Sequence, residues 1–359
     1  MTVVSASMPA SAPAQTPRPV QQHTPASSLL AAVEQRVHAL AAPTGPHPVQ
    51  AAASRAVGGG KLLRPRLLLL AAGGRADEDA VVTAAAAVEL LHAALLVHDD
   101  VIDRDDERRG APTVAHAAAA TAIAAGLERD AAARLGMTTA IVAGDALLVR
   151  ALAAVATIDA PLAVRRRVVE TIERAMVHAA EGEHDDVLHA GSAPDEAVIT
   201  RILEEKTADY SFRAPLEIGA LLAARDEQAI AALGRIGLRL GVVYQLRDDV
   251  LGVFGDEART GKSAMSDIRA GAPTLLSALA SRDPRWQPVA AHYGDPAADE
   301  AAAARVRQVM RGTGALGAVE QRIADGAAAV RRLIAEAPVE QPVRDGLLEI
   351  LGRCAERTR

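Results

Sequence analysis

From Leu29 to the C-terminus apolar residues recur at helical spacing, and no stretch between turn signals alternates with period two for long enough to make a convincing strand. With no sheet to pack on, such helices can bury their apolar stripes only against one another. The clearest helical runs are 80–103, 140–157, 162–181, 195–224 and 226–254, separated by short Gly, Pro and Asp punctuation. Looser segments at 104–112 and 255–273 each follow an acidic cluster, which predicts that both lie at the mouth of a site. Half of the residues are apolar but only 2% are aromatic. That leaves Ala, Leu and Val to fill the interior, side chains that suit close helices better than sandwich strands. Residues 1–28 are expected to be a disordered leader, because Pro9, Pro13, Pro17, Pro19 and Pro25 remove backbone donors and there is hardly any charge. No internal repeat or long linker divides residues 29–359, so one all-α domain is expected there.

The formal charge, 39 − 45 = −6, offers no basic surface to nucleic acid or anionic lipid. An anionic substrate would therefore need local cations, from metal ions and a few placed Arg and Lys. Cys354 is the only cysteine, which excludes an intrachain disulfide and a cysteine-based metal site. The N-terminus lacks the basic and apolar regions of a secretory signal, and no run of eighteen apolar residues is free of charge or Gly. No membrane span is expected, and the location expected is cytoplasmic.

His98-Asp99-Asp100-Val101-Ile102-Asp103 follows the apolar run 88–97. In a helix Asp99 and Asp103 are one turn apart on one face, where like charges repel. Near a helix C-terminus the macrodipole disfavours them further. Carboxylates at this spacing, without His or Cys ligands, suit a hard cation such as Mg²⁺, which would repair both penalties. A solvated acidic helix end is the plainer alternative. Arg108 and Arg109 follow in a short loop, suited to bidentate phosphate binding or to pairing with the acids beside them.

A second cluster, Asp248-Asp249, comes 149 residues after Asp99 and follows the apolar run 236–246. Two apolar helices ending in paired aspartates can face each other across a central cavity and hold several Mg²⁺ ions against a diphosphate. Gly58-Gly59-Gly60-Lys61-Leu62-Leu63-Arg64-Pro65 adds a flexible turn with two cations three residues apart, whose exposed N–H groups could meet a phosphate.

Taken in order, these motifs resemble the trans-isoprenyl diphosphate synthases, the polyprenyl synthetase family, from Leu29 to at least Ala280. Gly59-Gly60-Lys61 with Leu63-Arg64-Pro65 is similar to the family's GGKxLRP element, and Asp99 to Arg109 to its first aspartate-rich motif. Lys206-Thr207-Ala208-Asp209-Tyr210-Ser211-Phe212 is similar to the KTaxYsf segment, and Tyr244 to Asp249 with Gly261-Lys262 to the second aspartate-rich region. The resemblance implies an all-α, isoprenoid synthase-like bundle, a homodimer, and three Mg²⁺ ions when substrate is bound. It implies metal binding by Asp99, Asp103 and Asp248, with Asp100 and Asp249 as ligands or orienters of metal-bound water. Arg108, Lys206 and Lys262 would grip an allylic diphosphate, while Lys61, Arg64, His92 and Arg109 would hold isopentenyl diphosphate. Thr207, Tyr210 and Gln245 would aim dipoles at the allylic cation. Leu95 and Ala94, four and five residues before Asp99, stand where short-product members carry an aromatic floor, which implies geranylgeranyl diphosphate or a longer product, geranylgeranyl first; the alternative is that Ala94 only packs against a neighbouring helix and the length is set elsewhere.

The chain departs from the family pattern at Gly252, where an aspartate is usual and Asp256 is the expected substitute. It departs also at Ala272, in place of a lysine, and at Glu183, in place of a glutamine. Two other functions stay open on these residues: a class I terpene cyclase-like lyase, and an inactive regulatory subunit of a hetero-oligomeric synthase. His92 has a second reading as a core histidine, His98 as a cap or a partner of Asp103, and Asp145 as a residue ordering helix contacts.

Overall fold

The structure, a computed structural model, describes residues 26–192, 194–255 and 265–356. Its helices are α1 (Ala26–Ala41), α2 (Pro48–Ala56), α3 (Leu63–Ala72), α4 (Glu78–Ile102), α5 (Val114–Ala124), α6 (Arg129–Ala156), α7 (Leu162–His189) and α8 (Glu196–Ile202). They continue as a π-helical segment (Leu203–Arg213), α9 (Ala214–Leu222), α10 (Glu227–Phe254), α11 (Ser266–Ala270), α12 (Leu275–Ala280), α13 (Glu300–Gly312), α14 (Ala315–Glu336) and α15 (Gln341–Ala355). The all-α expectation holds. Among the described residues the one sheet is a two-residue hairpin, Glu107–Arg108 against Ala111–Pro112, inside the segment read as irregular. The leader assigned to residues 1–28 falls almost wholly outside the described residues, and α1 begins at Ala26.

Helix α4 is the central post. Asp77 caps it by accepting from the amide of Ala80 at 3.0 Å, and Glu78 and Asp79 favour its positive N-terminal end. Ala84, Ala85, Ala86, Ala87, Leu90 and Ala94 are fully buried along it. Alanines let neighbouring helices approach closely, and Leu67, Leu68, Leu216, Ile218, Leu233, Ile236 and Leu240 complete the core from α3, α9 and α10. The amphipathic C-terminal helices brace α10 from behind. Arg247 makes a bidentate pair with Glu320 at 2.7 Å and donates to the carbonyl of Ala355.

By length and composition α4, α6 and α10 are each apolar enough to cross a membrane. Burial separates them: 83% of the apolar window of α4 is buried in the fold and 61% of that of α10, against 39% for α6. Leu135, Met137, Ile141, Val142, Val149 and Leu152 of α6 are exposed.

Candidate active site

The last turn of α4 is closed by the amide of Asp103, which donates to the carbonyl of Asp99 at 2.8 Å. Arg104 then adopts φ +59° and turns the chain back, so the hairpin carries Arg108 over the helix end. Its guanidinium meets Asp99 Oδ2 at 2.7 Å, also bonds Asp100, and lies 3.7 Å from Asp105. The pairing alternative for Arg108 is thus realised here. Burial pushes the carboxyl of Asp100 up, with Arg108 opposing it. Asp103 is more open. Partial desolvation, the charge of Asp99 and those of Glu183 and Asp105 nevertheless lift it to about 7 against the pull of Lys206. His98 does not pair with Asp103; its ring lies 3.1 Å from the carbonyl of Ile141 and 3.5 Å from Asp145, a structural contact between α4 and α6.

Periodicity predicts an ordinary helix over 195–224, yet its middle is π-helical. Close backbone approach explains how this segment sits. A Cβ on Gly182 of α7 would come within 2.3 Å of the amide nitrogen of Lys206, and one on Gly241 of α10 within 2.5 Å of the Ala208 side chain. Only glycine allows α7 and α10 to clamp the segment from both sides. Asp209, 1% exposed, anchors it through Arg174 at 3.1 and 3.2 Å and His178 at 2.6 Å. Glu217 ties Arg174 and Arg213 at 2.8 and 2.9 Å. π-turns of this kind recur at functional sites. This one carries Lys206, Thr207 and Tyr210.

The Lys206 ammonium lies 2.5 Å from Asp186 and 3.0 Å from Glu183 on α7. Burial disfavours its charge, but Asp186, Glu183 and Asp99 together hold its pKa above the usual lysine range. Arg64 donates to Tyr210 Oη at 3.1 Å and Ser211 Oγ at 2.7 Å and stacks on the Tyr210 ring, 4.8 Å from its centroid. His92 faces the same phenol, with Nδ1 3.5 Å from Oη. Burial, then Arg64, Arg109 and Arg108, push His92 well below the ordinary range, so at neutral pH it is a neutral hydrogen-bonding group and not a cation. Arg109, at φ +54°, reaches back to the carbonyl of Gly58 at 3.4 Å. The glycine turn, Arg64, His92 and Arg109 therefore surround one recess, at whose rim Lys61 is exposed.

On α10 the second cluster is not at a helix end, since the helix runs on to Phe254. Gln245 donates to Asp249 Oδ1 at 2.9 Å. Burial raises Asp249 well above the carboxylate range; Gln245 opposes this, and Asp267, Asp248 and Asp186 add to it. Asp186 is felt by Asp249 and is paired with Lys206, which Asp99 in turn affects. Lys206 and Asp186 thus link the two clusters across the space between α4, α7, the π segment and α10.

The donors around that space are carboxylate oxygens, the chemistry of a hard divalent ion. Asp249 Oδ2 and Glu183 Oε1 are buried with no hydrogen-bond partner among the described residues. Magnesium fits this set. Among the described residues no three His, Cys, Asp or Glu side chains converge on a point that would hold an ion unaided.

Lys262, Gly261 and Asp256 lie outside the described residues. Ala272 adds no cation, and its neighbour Arg269 donates to the carbonyl of Ala298 at 3.1 Å. Three residues that sequence reasoning did not assign contact or influence these groups. Asp186 pairs with Lys206, Ser211 accepts from Arg64, and Glu89 is lifted by burial against the opposing charges of Arg64 and Arg109. A lone acid in the apolar run 80–97 was the available signal for Glu89.

The family model for polyprenyl synthetase matches residues 46–310. The short chain isoprenyl diphosphate synthase of Methanocaldococcus jannaschii is 35% identical over 39% of this chain and 42% of its own. Matches to the next curated relatives likewise span about half of their length. Among solved structures, geranylgeranyl pyrophosphate synthase from Corynebacterium glutamicum, complexed with isoprenyl diphosphate and magnesium, superposes with a TM-score of 0.83 at 29% identity. That superposition covers 92% of this chain and 99% of the other. Polyprenyl synthase from Caulobacter crescentus, complexed with calcium and isoprenyl diphosphate, gives 0.78 at 30% identity over 93% and 96% of the two chains.

Proposed function

Because this chain belongs to the polyprenyl synthetase family, we propose that it is a trans-prenyl diphosphate synthase, a transferase that condenses an allylic diphosphate with isopentenyl diphosphate. The observation that carries this reading is that Lys206, paired with Asp186, links the two acidic clusters, while Arg64 and His92 meet at Tyr210 on the same π segment.

Asp99, Asp103, Asp248 and Asp249 would hold Mg²⁺, with Asp100 orienting. We propose that three ions would be held there when substrate is bound. What magnesium supplies when bound is neutralisation of the diphosphate leaving group. Lys206, Arg108 and Lys262 grip the allylic diphosphate, for which Arg108 must exchange its partners Asp99 and Asp100. Lys61, Arg64 and Arg109 bind the second diphosphate, and neutral His92 adds a hydrogen bond without adding charge. As the allylic C–O bond breaks, the electron pair leaves with the diphosphate. The isopentenyl double bond then attacks the allylic carbon, and a proton is lost to the released diphosphate. Tyr210, Thr207 and Gln245 turn their dipoles toward the passing cation, and Arg64 orients the Tyr210 hydroxyl by its hydrogen bond.

We further propose geranylgeranyl diphosphate as product, a cytoplasmic location, and a homodimer formed through the exposed apolar face of α6. Supporting the length is the small Ala94 five residues before Asp99, where a bulky side chain would floor the path of the growing tail. Purified protein with Mg²⁺, isopentenyl diphosphate and dimethylallyl, geranyl or farnesyl diphosphate should yield longer prenyl diphosphates. A hydrocarbon product would favour a lyase, and no product a regulatory subunit.

A further inference from the structure

We propose that Asp267 supplies to the second acidic cluster the carboxylate that position 252 lacks, so that the cluster is assembled from α10 and α11 together. The proposal rests on the diphosphate reading above. On α10 the residue one turn beyond Asp248, on the same face, is Gly252. The equivalent step on α4 leads from Asp99 to Asp103 and gives two carboxylates side by side. On α10 the step ends on a hydrogen atom, yet the place is filled. A Cβ built on Gly252 would lie 1.9 Å from Asp267 Oδ2, 2.4 Å from its Cγ and 2.8 Å from Oδ1. The carboxylate of Asp267 thus stands where a side chain at position 252 would stand, and glycine is what admits it.

The turn that presents Asp267 is pinned on several sides. The carbonyl of Asp267 accepts from Ala272 at 3.0 Å, and that of Ile268 accepts from Gly294 at 2.8 Å. The carbonyl of Gly271 accepts from Gly191, beyond α7, at 2.8 Å, while Ile268 is fully buried. Its charge is close enough to be felt by Asp249 and by Tyr293. An independent observation points to a cation there. Asp249 is 7% exposed, and its Oδ2 is buried without a hydrogen-bond partner among the described residues. A buried carboxylate oxygen with no donor beside a second carboxylate is costly unless a proton or a cation joins them, and a divalent ion can serve both carboxylates at once.

The full-length protein would be titrated with inorganic pyrophosphate in the presence and absence of Mg²⁺ by calorimetry, and with Mn²⁺ by electron paramagnetic resonance. Asp267→Asn, which keeps shape and removes charge, should weaken metal-dependent binding about 10–100-fold, the range for residues that tune a metal site, with unchanged helical content by circular dichroism. Wild-type binding in that variant would overturn the proposal, as would a loss falling on Asp256→Asn instead. Moving the carboxylate, by Gly252→Asp with Asp267→Gly, should recover affinity relative to Asp267→Asn; no recovery would refute the equivalence of the two positions. If the wild type binds no pyrophosphate with Mg²⁺, or Asp99→Ala and Asp248→Ala leave binding intact, the diphosphate reading itself fails. If those two variants lose binding while Asp267→Asn keeps it, only the present proposal fails.

Discussion

The end of α4 and the corresponding stretch of α10 look alike in sequence, each an apolar run leading into paired aspartates, and they are built differently. On α4 the acids occupy the final turn, against the helix dipole, and the chain turns straight back to lay Arg108 across Asp99 and Asp100. That cluster arrives with its own counter-charge, with Asp100 buried under Arg108 and Asp99 and Asp103 nearer solvent. On α10 the acids lie inside the helix, Asp249 is buried with one neutral hydrogen bond from Gln245, and a neighbouring turn brings a further carboxylate to Gly252. Arg108 offsets the charge of Asp99 and Asp100, whereas the hydrogen bond given to Asp249 comes from the neutral amide of Gln245. Local sequence spacing therefore specifies that acids converge, but the surroundings decide how much of their repulsion remains for a metal ion to relieve.

Removing either cluster should have the largest effect. Asp99→Ala and Asp248→Ala are each expected to lower turnover by several orders of magnitude at constant helical content, because leaving-group activation is worth several kcal/mol. If one variant keeps near-normal rates, the two clusters are not equivalent partners in the chemistry. A difference of another kind concerns depth, since on the proposed reading α4 would both anchor the diphosphate and line the path below it. Ala94→Phe should shorten the product to C15 or below, read by chromatography of dephosphorylated products; an unchanged spectrum places the ruler elsewhere. Ala94 is fully buried, so the same preparation needs a melting curve to show that the added ring is accommodated.

Protonation sharpens the contrast at smaller scale. Asp103 is raised to about 7 in the metal-free fold from 3.8. The folded state therefore binds the extra proton, and its contribution is full below about pH 4 and lost as pH rises through 7. Metal-free wild type should lose stability over that window relative to Asp103→Asn, and Mg²⁺ should remove the difference; parallel melting curves without metal would show that Asp103 does not carry that charge load. The smallest effect is expected at Ala272. Ala272→Lys should lower the allylic KM by about tenfold, the lower end of what one charge-assisted hydrogen bond contributes. An unchanged KM would mean that another cation already serves, and Arg269, held by Ala298, is not free to do so without losing that bond.

Much of this was legible from residues alone. The helical runs, both acid clusters, the glycine turn before Lys61 and the Lys206–Tyr210 motif depend on spacing along one chain, which sequence records directly. So do the caps: Asp77 and Asp226 each accept from the third residue beyond, as an acid before an apolar run predicts. What sequence could not decide was set by contacts between distant segments. The π turns lie where Gly182 and Gly241, on helices remote in sequence, let α7 and α10 approach one segment from both sides. The protonation of His92 and Asp249 follows from burial and from charges on other helices, which no local pattern encodes. Gly252 read as a missing ligand until the fold set the carboxylate of Asp267 in its place. Spacing along a helix is a property of the backbone and is written in the chain, whereas desolvation and through-space charge exist only once the helices are packed.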